Sequence, residues 1–305
     1  MAPPRLLRIY LEPVRLKMAR EGTFGFVAQV QAAFEALGFR VDLVRGTDEE
    51  RLKSVRRRGY ALFEMKEPLT ENTLSIRRAY YYPFWRIERT ARRWAFEVAE
   101  KRFDPAEIDT DAAETWARSW GRILFKAAPE NTTREGFIYV ALQGQLLARR
   151  SFQSMSPAEM IAEVQGRAGD KRILLGLHPG ETYSEAEMRA LDRIAAQDPR
   201  ITVQTGGMEE ALRRCDSVVT QNSAAALSGF FFNKPAILFG ESDFHHQMPR
   251  VSELGVGGAW EALTRKQPDY AAYLYWFIQK NAIKADSDEA GAEIIARCRA
   301  LGWEI

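Results

Sequence analysis

The sequence predicts an α/β protein built of two Rossmann-like domains facing a central cleft. Short apolar runs alternate with amphipathic stretches in both halves of the chain, the rhythm of parallel strands joined by crossover helices. The second half repeats that alternation more cleanly than the first. A length of 305 residues suits two domains of about 150 residues each, expected here at 1–155 and 156–305.

In chain order, LLRIYL at 6–11 reads as the first strand and 25–37 as a helix closed by Gly38. FRVDLV at 39–44 follows as a strand, Asp48 is the expected cap of a short helix running to Arg58, and YALFEM at 60–65 is a third strand. Arginines recurring at 86, 89 and 93 suggest a basic, aromatic helical segment over 76–103, followed by a helix at about 111–126. Strand FIYVAL at 137–142 ends in Gln143. Ser156 and Pro157 then supply an N-cap and a first helical position. RILLGL at 172–177 is a buried strand, and Ser184 with Glu187 three residues on opens a helix to 197. Strand 201–205, helix 208–214, strand 217–220, a helix after Ser223 and strand 235–240 complete the alternation.

Composition narrows the function. With 46% hydrophobic and 28% charged residues the chain lacks the apolar poverty of disorder. Its formal charge of +2 gives no global field for nucleic acid, which is not expected as a partner. The two cysteines, Cys215 and Cys298, suggest neither a disulfide framework nor a thiolate metal site. No run approaches the roughly 20 apolar residues of a membrane span, and the N-terminal MAPPRLLRIYLEP lacks the cleavage pattern of a signal peptide. The expected location is the cytoplasm, against a membrane surface. The basic face of 76–103 would suit an anionic lipid headgroup or glycan.

Polar clusters fall at strand ends, where open parallel sheets bind ligands. LHPGE at 177–181 and TQNS at 220–223 each follow a strand, which brings His178, Glu181, Gln221, Asn222 and Ser223 to one rim. Ser223 at the start of a helix would leave the first amides free for an anion, although capping alone explains the residue equally well. His178 offers a donor or an acid/base group near neutrality. His245 and His246 lie beyond the strand PAILFG, with Glu241 and Asp243 in the same loop. Their side chains should diverge, so one of the pair, His245, joins the candidate set. No metal-binding spacing accompanies the three histidines, no nucleotide-binding glycine motif is present, and no metal or cofactor is expected.

YVALQGQLLARRSFQSMSPAEMIAEV at 139–164, GLHPGE at 176–181 and VVTQNSAAALSGFFFNKPAILFG at 218–240 together resemble the capsular polysaccharide biosynthesis and export proteins of Gram-negative bacteria, several of which transfer Kdo from a CMP-activated donor. The resemblance covers 137–246. It implies a GT-B glycosyltransferase fold, with His178 reaching the donor phosphate, Gln221, Asn222 and Ser223 holding the same nucleotide, and Gln143 ending a strand at the domain junction. It also implies work in the cytoplasm at the inner membrane, on a nucleotide-sugar donor and a glycan or glycolipid acceptor. The family's Glu-Asp-Gly-Phe type loop has no counterpart here. Among Glu21, Glu64 and Glu67, Glu64 is the first choice for the catalytic carboxylate because it sits near a strand end. The competing expectation is a noncatalytic glycan- or nucleotide-binding component of an assembly or export complex, and an epimerase of the same architecture is a third.

Overall fold

The computed structural model describes residues 4–265 and 267–305. The chain forms two compact units, one of residues through Lys101 together with Phe277–Ile305, the other Arg102–Trp276.

The first unit carries β1 (Leu6–Leu11), α1 (Pro13–Arg20), α2 (Gly25–Ala36), β2 (Arg40–Arg45), α3 (Asp48–Ser54), β3 (Tyr60–Glu64), β4 (Thr73–Arg78), β5 (Phe84–Glu88) and the single-turn α4 (Glu97–Glu100). Its sheet has the order β11-β5-β4-β3-β1-β2, with the short β11 (Ile283–Lys284) supplied by the C-terminal segment. β1 to β4 are parallel, whereas β5 and β11 run antiparallel to their neighbours. Side chains alternate across β1: Leu7, Ile9 and Leu11 enter the main core with Phe26, Val30 and Phe34 of α2. Tyr10 points to the other face with Ala61 and Phe63. A strand apolar on both faces belongs in the middle of a covered parallel sheet.

The second unit holds α5 (Thr110–Phe125), β6 (Phe137–Ala141), α6 (Pro157–Arg167), β7 (Arg172–Leu177), α7 (Glu185–Gln197), β8 (Ile201–Thr205), α8 (Met208–Arg214), β9 (Ser217–Thr220), α9 (Ala224–Phe231), β10 (Ala236–Leu238), α10 (Val251–Arg265) and α11 (Tyr270–Leu274). All five strands are parallel in the order β10-β9-β6-β7-β8. Both expected helix starts form complete capping boxes, Ser156 with Glu159 and Ser184 with Glu187. Each satisfies two otherwise orphaned amides.

The structure departs from the sequence expectations in four places. Residues 76–103 are not a basic helix. They form the end of β4, then β5, a 3-10 turn and α4. Arg86 faces inward from β5, 4% exposed, donating to the carbonyl oxygens of Phe277 (2.8 Å) and Asn281, so Arg86, Arg89 and Arg93 share no helical face. Thr47, not Asp48, caps α3 by accepting from the Glu50 amide, and that helix stops at Ser54. The expected boundary at 155/156 differs from the compact units, which part at 101/102 and 276/277. The last 29 residues join the first unit because α12 (Ala290–Ala300) buries Ile294, Ile295 and Cys298 in its core, where Leu301 and Trp303 follow. α1, finally, was absent from the sequence expectation. It is short, with only Leu16 and Ala19 buried.

Candidate functional site

The second sheet reverses its strand order beside β6. From β6 the chain proceeds outward through β7 to β8, then returns to the other side of β6 for β9 and β10. Loops leaving β6 and β9 therefore part from one another at adjacent carboxyl ends, which opens a crevice suited to a ligand. Gln143 follows β6, His178 follows β7, and Gln221, Asn222 and Ser223 follow β9. Five of the expected donor-site residues thus stand on three neighbouring strand ends.

His178 is exposed. Its Nδ1 accepts a hydrogen bond from the Gly180 amide at 3.0 Å, so in the neutral ring the proton resides on Nε2, leaving that N–H as a donor. The turn is fixed further by the Glu181 amide donating to the His178 carbonyl (3.1 Å) and the His178 amide donating to the Tyr183 hydroxyl (2.9 Å). Glu181 reaches the loop after β6: a Cβ on Gly144 would lie 2.7 Å from its Oε2. Glycine is what lets the two loops approach.

Ser223 caps α9 by accepting from the Ala225 amide at 3.3 Å, and its carbonyl accepts from Ala226 at 3.1 Å. The expectation of several free amides at this helix start is therefore corrected, since two of them are already bonded to Ser223. Asn222 turns sideways, donating through Nδ2 to the Glu241 carbonyl (2.9 Å). Gln221 is only 2% exposed. Its Nε2 donates to the Met155 carbonyl (3.1 Å), whereas its Oε1 is buried without a partner.

That orphan has company. Gln143 Oε1, Gln153 Nε2, and both Nε and Nη2 of Arg150 are also buried without hydrogen bonds. Gln153, 2% exposed, accepts from the Arg150 amide at 2.7 Å, and the Arg150 guanidinium lies 4.9 Å from the Phe152 ring centre. The loop is pinned to the segment just after β10, with the Ser154 amide donating to the Phe239 carbonyl and the Glu241 amide donating to the Phe152 carbonyl. Unpaired buried polar atoms are costly, and several on the loops after β6 and β9 point to a polar occupant. Sequence reasoning missed Arg150 and Gln153. The polar run ARRSFQS beyond a strand end was their only signal.

His245 stands apart from this group. Its Nδ1 lies 2.8 Å from the Ser242 carbonyl, its ring stacks on His246 at 4.4 Å, and it lines a cavity of about 470 Å³ with Arg102, Arg250 and Glu253. Burial holds its pKa below the usual imidazole value, against the opposing bond to Ser242.

Glu64 ends β3 in the first unit and is 4% exposed. Oε1 pairs with Arg15 Nε at 2.8 Å, while Oε2 is buried without a partner. Burial raises its pKa, and the opposing pull of Arg15 and the Glu12 amide does not cancel that. A folded pKa above the unfolded one favours folding in the protonated form, and that advantage is lost as pH rises through the folded value. Relative to wild type, Glu64→Gln is therefore expected to gain stability as pH climbs from about 4.5, measured by urea unfolding at several pH values. A flat difference would contradict the raised pKa.

No family model matches the chain, and no curated protein matches it in sequence. Among solved structures, the β-Kdo 2,7 transferase of Thermosulfurimonas dismutans KpsC aligns over 95% of this chain and 98% of its own, with a TM-score of 0.52 and 12% identity. The β-Kdo 2,4 transferase of the same protein aligns over 88% and 89%, at 0.46 and 11%. The S. aureus MnaA–UDP structure aligns over 96% and 95%, at 0.36 and 11%. Two α/β units with helix-flanked sheets, together with the first of these alignments, give this chain a GT-B-like fold, the fold of glycosyltransferases and other proteins that use nucleotide sugars.

Proposed function

We propose that the chain is a glycosyltransferase of bacterial surface or capsular polysaccharide synthesis, moving a sugar from a nucleotide donor to a glycan or glycolipid. Kdo carried on CMP is the first donor to test, because the solved structure that aligns with a TM-score of 0.52 is named as a Kdo transferase. The observation that carries this reading is the group of unpaired buried polar atoms at the strand-order reversal of the second sheet. The nucleotide would be held by His178, Gln143 and Gln221, with Glu181, Asn222 and Ser223 shaping the loops. A glycolipid acceptor would bring the protein to the cytoplasmic surface of the inner membrane.

In this scheme the acceptor hydroxyl gives up its proton to a carboxylate, for which Glu64 is the candidate in the first unit, as its oxygen bonds to the anomeric carbon of the donor sugar. The bond from that carbon to the CMP phosphate oxygen breaks, and the departing negative charge meets the His178 Nε2–H and the Arg150 guanidinium. Donors aimed at developing charge contribute most when water is excluded. The raised pKa of Glu64 suits a proton acceptor, although its burial and its pairing with Arg15 favour the second reading, a noncatalytic nucleotide- or glycan-binding component. Product formation separates the two.

Calorimetric titration with CMP, CDP, UDP and GDP tests the donor assignment. His178→Ala and Ser223→Ala are expected to weaken binding of the preferred nucleotide with little unfolding. Arg150→Ala should weaken it by about 10- to 100-fold, the equivalent of one lost charged hydrogen bond. Absence of nucleotide binding by the wild type, or wild-type affinity in the first two variants, removes the assignment.

A further inference from the structure

Glu187 divides its carboxylate between two loops. Oε2 closes the capping box of α7, accepting from the Ser184 amide at 2.7 Å and from the Ser184 hydroxyl at 2.8 Å. Oε1 turns away from the helix and accepts from the Leu146 amide at 2.5 Å, 41 positions earlier, in the loop that follows β6. We propose that Glu187 is a positioning residue of the nucleotide site, a single carboxylate that sets the loop carrying Gln143 against the loop carrying His178.

Ser184 closes the loop that begins at His178, and Leu146 lies just beyond Gln143. Leu146 is held at three points. Its side chain, 1% exposed, enters the core of the second unit with Met160 and Leu191; its carbonyl accepts from the Ala158 amide in the first turn of α6 at 3.0 Å; and its amide has Glu187. Between Gln143 and this anchor the chain turns through Gln145 at φ 62°, a left-handed conformation that a non-glycine residue keeps where its surroundings fix it. Gln143 Oε1 is buried without a partner, so its use to a ligand depends on where this short loop stands.

A capping box by itself needs no second oxygen. Glu159 makes the same box with Ser156 at the start of α6, through Oε2, and among the described residues it bonds to no other loop. Glu159 is exposed, whereas Glu187 is 8% exposed. Burial pulls the Glu187 pKa up, but the bonds from Ser184 and Leu146 outweigh it and hold the carboxyl below its usual value, so both oxygens remain acceptors at neutral pH. An alanine at 187 would leave the Leu146 amide without its acceptor and untie the two loops.

The positioning role rests on the nucleotide reading of this site; the tie between the loops does not. The test uses the full chain and compares Glu187→Ala with Glu159→Ala, which removes the matching cap but no bond between loops. In calorimetric titration with CMP, Glu187→Ala is expected to bind about tenfold more weakly than the wild type, the effect of one lost charged hydrogen bond, Glu159→Ala to stay within about twofold, and Glu187→Gln to fall between. Amide hydrogen exchange without ligand should quicken over residues 144–146 in Glu187→Ala and not in Glu159→Ala. Gln143→Ala should weaken CMP binding less in the Glu187→Ala background than in the wild type, because the group it removes is already displaced. Equal CMP affinity in the two alanine variants, or an unchanged effect of Gln143→Ala, overturns the positioning role. Equal exchange over 144–146 in the two variants overturns the tie itself. If the wild type binds no CMP, the CMP assignment and the positioning role fall together, while faster exchange in Glu187→Ala still establishes the tie.

Discussion

Glutamine at position 64 is expected to lower sugar transfer by about 100- to 10,000-fold, the range for losing a positioned general base, while nucleotide affinity stays at the wild-type level. The amide has nearly the volume of the carboxyl group, and its oxygen still accepts from Arg15, so the packing of this buried position survives. What disappears is the ability to take a proton. Single-turnover assays with the nucleotide found by titration, run at saturating acceptor, measure the chemical step directly. Full transfer by the variant would take Glu64 out of the reaction, and absence of transfer by the wild type across the nucleotide-sugar donors would favour the noncatalytic reading.

The second large effect concerns stability. Arg297→Leu is expected to cost about 3–5 kcal/mol, the range for breaking one side of a buried ion pair. Arg297 donates to Glu88 Oε2 and to the Ile87 carbonyl, each at 2.9 Å, and pairs with Glu97. Glu88 is 5% exposed. Burial raises its pKa even though Arg297 pulls in the opposite direction, so without the guanidinium an ionised Glu88 is left without its main counter-charge. Because protonation relieves that cost, the loss should shrink as pH falls through the raised pKa. Urea unfolding near pH 7 and again near pH 4.5 checks both claims, and adding Glu88→Gln to the variant should recover part of the loss. A change below 1 kcal/mol at neutral pH would contradict the assigned role.

Local chemistry was the readable part of the sequence. Ser156, Pro157 and Glu159 satisfy their own backbone within three residues, so the start of α6 is visible without tertiary information; α7 follows the same rule. The misjudged segment has an equally physical origin. Arginines at 86, 89 and 93 have helical spacing by coincidence, because Arg86 turns inward to carbonyls 191 and 195 positions away. No local pattern encodes such a partner. The division between units was hidden for the same reason, since Ile294 and Trp303 meet Phe34 and Tyr60 only after the chain returns.

The candidate site was legible as a set of strand ends and illegible as chemistry. Polar residues after apolar runs located Gln143, His178 and Gln221, because strand ends are where such residues escape the sheet. Whether an amide or a hydroxyl there is occupied depends on the neighbouring loops. Ser223 spends its hydroxyl and its carbonyl on the amides behind it, while Gln221, outwardly similar in sequence, keeps an oxygen with nothing to accept from.

Drawing the first unit's core from both extremes of the chain has a consequence for biogenesis. A polypeptide emerging from the ribosome exposes Phe26, Val30 and Phe34 long before Ile294, Ile295 and Trp303 exist to cover them, whereas residues 102–276 are all translated before the tail is made. The intervening unit can thus mature while the first still waits for its closing helix, and in that interval the unfinished apolar face is the natural client of a chaperone.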